Sequence, residues 1–156
     1  MGQKSVSSKE VKPGKKKVPL VEGLFKLSSS PGEKSYLIGR RCKSCGSYFY
    51  PNTGHQKVVC LNCLGRDLEE VPLSHRGKLY TYTISTVAPE FALVKPPYAI
   101  GVVLLEKENE IVWATSTTDC DLKSLKVDMD VEIVFEKVKE DEEGNDVMAY
   151  MFKPVQ

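Results

Sequence analysis

RCKSCGSYFYP, residues 41–51, sets two cysteines three positions apart, follows the second with a glycine and then places three aromatics in a row. A second pair lies downstream in CLNC, residues 60–63, so the chain reads C-x2-C, fourteen residues, C-x2-C. Two residues between cysteines let a tight turn aim both sulfurs at one point, and the longer excursion lets a hairpin return with the other two. Gly46 can take the positive φ such a turn requires, with Asn62 and Gly65 placed to serve the second turn in the same way. Cys42, Cys45, Cys60 and Cys63 are therefore the expected metal ligands, in a closed four-sulfur site of structural and not catalytic type.

Other uses of the four cysteines fit less well. A redox pair usually comes as one C-x-x-C on a helix within a βαβ pattern, and structural disulfides suit an oxidising compartment. Zinc is the expected metal, although the same thiolates suit iron in a rubredoxin-like site. His55, inside the loop, is a further nitrogen donor, but four thiolates already fill a tetrahedron; His75 reads as a surface or core histidine. A unit of about 35 residues buries too little surface to stand without a staple, and structural zinc binds small modules with about 10–16 kcal/mol.

The 156 residues suffice for a small unit leaning on a larger one, and 41% apolar content supports a packed core. The longest apolar run, Tyr98 to Leu105, is far shorter than the roughly 18 residues of a membrane span, and no secretory signal pattern opens the chain, so a cytoplasmic location is expected. Net charge is +1, yet residues 1–17 carry six lysines against Glu10, which leaves the remainder mildly acidic. Residues 1–17 read as a basic disordered tail.

After the tail, VPLVEGLFKL places Leu20, Val21, Leu24 and Phe25 on one face of a helical turn with Pro19 at its first position, so residues 18–35 are expected to be a short N-terminal helix and a loop. YLIGRR is a strand leading into the first cysteine turn, and residues 36–72 make the ribbon. From residue 73 onward the pattern is of short strands: GKLYTYTISTVA alternates with period two, PPYAIGVVLLE is apolar on both faces, and EIVWATST follows across the turn EKENE. VEIVFEKV and DVMAYMFKPV complete the set, with TDCDLKSLKVDM as a short crossing segment after the third strand. Five strands in that order describe an OB-fold, a small Greek-key barrel, over residues 73–156. The expected fold is thus mainly β: a short N-terminal helix, a zinc ribbon and a five-stranded OB-fold barrel.

A ribbon opening GRRCKSCGSYFYP, followed by LEEVPLSHRGKLYTYT, PPYAIGVVLLE and a closing MFKP, resembles the acyl-CoA-associated family in which a rubredoxin-like zinc ribbon precedes an OB-fold. The likeness runs over residues 19–155 and lies in the order of the motifs. It implies a non-catalytic accessory subunit in a hetro-oligomer with a thiolase-superfamily catalytic subunit that handles acyl-coenzyme A thioesters. The reaction it implies is thiolytic cleavage of benzoylsuccinyl-CoA to benzoyl-CoA and succinyl-CoA, as in anaerobic toluene degradation, on a nucleophilic cysteine of the partner chain. Two positions depart from the family's habit: Leu61 stands where proline is common, and Asp128 where glycine is.

Within that reading Arg40, Arg41 and Lys43 are candidate contacts for the phosphates of coenzyme A, and Tyr48, Phe49 and Tyr50 for its adenine or for an apolar interface; the aromatics equally suit the ribbon's own core. Cys120, between Asp119 and Asp121, is a poor nucleophile, because neighbouring carboxylates oppose thiolate formation. The rival class is a single-stranded nucleic-acid-binding module, with Tyr80 and Tyr82 stacking bases, but few cations interleave with the barrel's aromatics.

Overall fold

In a computed structural model, which describes residues 15–51 and 59–156, the chain is almost wholly β. Its strands are β1 (Lys17–Pro19), β2 (Phe25–Lys26), β3 (Tyr36–Cys42), β4 (Tyr48–Phe49), β5 (Leu68–Pro72), β6 (Arg76–Ser85), β7 (Tyr98–Leu105), β8 (Glu110–Ser116), β9 (Asp130–Glu140) and β10 (Asp146–Pro154). Among the described residues the helical content is one 3-10 turn, Leu122–Ser124, opened by the Asp121 side chain accepting from Lys123 N–H.

Strands β6 to β10 close a barrel. Hydrogen bonding runs β10-β8-β7-β6-β9, and β10 pairs antiparallel with β9 to complete the ring. Alternation along these strands sends Leu79, Val103, Leu105, Val112, Val131, Ile133 and Phe152 inside, each essentially without solvent contact. The 3-10 turn crosses between β8 and β9, the place at which the sequence pattern puts the crossing segment. A bulge between Leu79 and Thr81 shifts the phase of β6, so Tyr80 and Ile84 face solvent although they belong to a strand with strong β-formers.

The ribbon is built on β3, which pairs antiparallel with β2 and β4 along one side and with β5 along the other. Its aromatics lock it to the barrel. The Tyr50 ring meets Tyr150 edge-on at 6.0 Å, and Phe25 lies 5.3 Å from Phe135 and 5.9 Å from Tyr150. Leu24, Phe25, Leu37, Tyr50 and Leu73 consequently join the barrel's interior in one continuous core.

The expected helix within residues 18–35 is replaced by strand and turn. Lys17–Pro19 adds as a parallel strand to β10, with Leu20 N–H donating to Met148 O at 2.8 Å. Gly23 then turns the chain at φ +83, and Leu24 and Phe25 dive into the core while Val21 stays exposed. The i, i+1, i+4, i+5 spacing therefore does not mark one buried helical face: Leu20 before the turn is half-buried beside an exposed Val21, only Leu24 and Phe25 after it enter the core, and the open β10 edge outcompeted weak local helix propensity. The stretch 1–17 read as a tail meets the described residues only at its end, where Lys15 pairs with Glu140 at 2.6 Å and Lys17 begins β1.

Candidate metal centre

Two tight turns carry the cysteines. In the first, at the end of β3, Gly46 N–H donates to Cys42 O at 2.8 Å and Cys42 N–H to Ser47 O at 2.9 Å. In the second, Leu64 N–H donates to Cys60 O at 3.0 Å and Cys60 N–H to Gly65 O at 2.8 Å. Lys43 N–H, donating to Asp67 O at 2.9 Å, ties the first turn to the strand that leaves the second. The left-handed residue of the second turn is Leu64, at φ +59, and not Asn62 or Gly65. Aligning CKSCG with CLNCL exposes the signal, since Leu64 and Gly46 occupy the same place after the second cysteine.

These turns bring the four sulfurs together. All lie within 4.8 Å of one another, with Cys42 to Cys63 and Cys45 to Cys60 each at 3.6 Å. A tetrahedron with Zn–S bonds of about 2.3 Å has edges of about 3.8 Å, whereas a disulfide needs about 2.05 Å. The cluster thus has the dimensions of a four-coordinate site. Cys42 and Cys60 form its buried floor, and Cys45 and Cys63 its exposed side.

Hydrogen bonds aimed at sulfur prepare the site for thiolates. Asn62 N–H points at Cys60 Sγ at 3.4 Å, and the Asn62 side-chain amide reaches Cys45 Sγ at 3.7 Å and Ser47 Oγ at 3.2 Å. The Cys45 N–H, with that of Ser44, holds the Cys42 thiol below its ordinary value against the opposing effect of desolvation. The Ser47 hydroxyl and N–H bring Cys45 down to about 6. At Cys63 the Gly65 N–H acts in the same direction, but hydrogen bonds shared with the Cys42 and Cys45 sulfurs prevail and hold the proton up to about 12. Several thiolates cannot share so small a volume without a cation, so the donor set fits a divalent metal.

The remaining candidates fall elsewhere. His55 lies outside the described residues. His75 stands edge-on to Phe135 at 6.0 Å, away from the sulfurs. Arg40 is nearly buried and bonded to Glu70 at 2.6 Å, Arg41 pairs with Glu69 at 3.2 Å and lies over the Tyr48 ring at 5.8 Å, and Lys43 approaches Asp67 at 3.7 Å. Phe49 and Tyr50 turn inward, Tyr50 completely. Burial pushes the Tyr50 phenol well above the usual tyrosine range, with Tyr150 adding to it. Cys120 is half-buried at the barrel end, where desolvation, then Asp119 and Asp121, raise its thiol. The barrel's Lys78, Lys137 and Lys153 are paired with Asp130, with Glu140 and Asp146, and with Glu132, while Tyr82 donates its hydroxyl to Leu125 O at 2.8 Å. Asp128, the glycine-like position of the sequence reading, has φ +69, which accounts for a preference for glycine there.

Comparison with known proteins agrees with this architecture. Residues 70–136 match the family model described as ChsH2, C-terminal OB-fold domain. A DUF35 domain-containing scaffold protein of Methanocaldococcus jannaschii is 36% identical over 126 residues, covering 80% of this chain and 85% of its relative. Benzoylsuccinyl-CoA thiolase subunit BbsA of Thauera aromatica is 32% identical over 124 residues, covering 80% of each. Among solved structures the Ltp2-ChsH2(DUF35) aldolase superposes with a TM-score of 0.59 at 20% identity, over 76% of this chain and 84% of the matched one, a likeness of fold. A sulfur cluster on a ribbon, a closed barrel behind it and relatives aligned along four fifths of the chain make this protein a member of the DUF35 domain-containing scaffold family.

Proposed function

We propose that this chain is a non-catalytic, zinc-holding scaffold subunit of a thiolase-type complex acting on acyl-coenzyme A thioesters. The observation that carries the reading is its likeness, over 80% of its length, both to a protein named a scaffold and to one named a thiolase subunit. Cys42, Cys45, Cys60 and Cys63 hold the zinc, which supplies a crosslink and no chemistry, because four thiolates leave it no open position. Acyl transfer needs an activated thiolate. Cys120, the cysteine outside the cluster, has its thiol raised by burial and two carboxylates, so the nucleophile belongs to the partner. A reducing cytoplasm keeps the four sulfurs available for metal.

Benzoylsuccinyl-CoA, named in the Thauera relative, is the thioester to test first. Arg41, Lys43 and Tyr48, on the ribbon surface, are the chain's contacts to coenzyme A in this reading; their carboxylate partners Glu69 and Asp67 would have to give way to phosphate. The experiment is co-expression with the genomic neighbours, followed by thioester cleavage with each purified polypeptide alone and with both. Activity that requires a thiolase-type chain and rises on adding this one is the expected result. A chain that neither binds such a partner nor changes its turnover would refute the reading.

A further inference from the structure

The two cysteine turns are near copies in backbone and differ in what they display. CKSCG and CLNCL each close with an N–H bond from their last residue to the carbonyl of their first, and each takes that last residue through the left-handed region, at φ +76 for Gly46 and +59 for Leu64. Glycine sits there without penalty, whereas the Cβ of leucine is crowded against the carbonyl oxygen. Leu64 is thus a side chain its own backbone disfavours. Among the described residues internal packing gives little back, since Leu64 is 73% exposed and Leu61, at the place held by Lys43 in the first turn, is 64% exposed. Strain kept without an internal return points outside the chain.

We propose that Leu61 and Leu64 form an apolar plug that seats in a pocket of the thiolase-type catalytic subunit, an inference that rests on the function proposed above. Leu61 and Leu64 are both exposed on one turn, and Asn62 and Arg66 in the same stretch, with the Lys43–Asp67 pair, are exposed polar residues, the composition of an apolar contact with a polar rim. A metal clamp beneath the plug spares the ordering entropy that a flexible loop would lose on docking. Two leucine side chains present far less than the roughly 1,200 Å² that a stable interface buries, so they suit a concave site on a larger partner and not the same turn of a second copy.

The test uses the full chain with the thiolase-type polypeptide that co-purifies with it, and compares wild type with Leu64→Gly, Leu64→Asn and Leu61→Ser. Val127→Ser, a substitution at a residue 61% exposed on the barrel, is the control. All four variants should keep one metal per chain, and Leu64→Gly should melt at or above the wild-type temperature. The dissociation constant should weaken tenfold or more for each leucine variant and stay unchanged for Val127→Ser. Wild-type affinity in Leu64→Gly and Leu64→Asn overturns the proposal alone; so does loss of metal in both, which would mean that the leucine serves the turn. A change in the chain's own oligomeric state with partner affinity intact also overturns it. A wild-type chain that binds no thiolase-type subunit removes both this inference and the reading beneath it.

Discussion

Tyr50→Ala should loosen the ribbon from the barrel without emptying the metal site. Tyr50 has no exposed surface and meets Tyr150 edge-on at 6.0 Å. An aromatic side chain of this kind buries about 200 Å², which at ~25 cal/mol per Å² corresponds to about 5 kcal/mol. Residual burial in the unfolded chain lowers this to about 3–4 kcal/mol, in the range of ~3–5 kcal/mol found for aromatic-to-alanine changes in cores. At about 2–4 °C per kcal/mol for a domain of this size, the melting temperature should fall by about 10 °C. Tyr50→Phe keeps the ring and should stay within about 1 kcal/mol of wild type. Thermal unfolding by circular dichroism measures both, alongside metal content, which Tyr50→Ala should leave unchanged because the turns that hold the sulfurs do not use that ring. A fall of less than about 3 °C would refute the idea that this aromatic joint fastens the ribbon.

Elemental analysis of the purified chain should find one zinc, and Cys60→Ser should lower that occupancy and expose the ribbon to protease while the barrel strands stay protected. Gly77→Ala should yield little soluble protein: a Cβ there would press on the Leu104 carbonyl, 2.8 Å from its carbon, and backbone of β7 cannot step aside without breaking its pairing with β6. Alkylation of Cys120 in the metal-loaded chain should stay slow at neutral pH and keep accelerating above pH 9.0, because burial, Asp119 and Asp121 raise its thiol from that ordinary value; a plateau below pH 9.0 would contradict the placement.

Much of this architecture was legible in the residues because its signals are local. Paired C-x2-C turns and period-two runs each fix backbone geometry over a few positions, so the clustering of the four cysteines and the barrel strands could be read directly. What escaped depends on distant partners. Leu20 to Phe25 looked helical because nothing local reveals that β10 offers a free edge to Lys17–Pro19. Arg40, Arg41 and Lys43 looked like free cations because the acids that meet them, Glu70, Glu69 and Asp67, lie well downstream. Asn62 stood out as a turn residue, yet its amide reaches the sulfur of Cys45 across the site, while Leu64 takes the left-handed position.

The parallel pairing of β1 with β10 also sets an order of events during synthesis. β10 leaves the ribosome after every other described strand, so β1 has no neighbour to dock on until then, whereas the ribbon between them has already emerged complete. The four cysteines can therefore come together before the barrel closes, and a ribosome stalled before Asp146 would leave a formed ribbon tethered to an unfinished barrel, with Lys17–Pro19 hanging free.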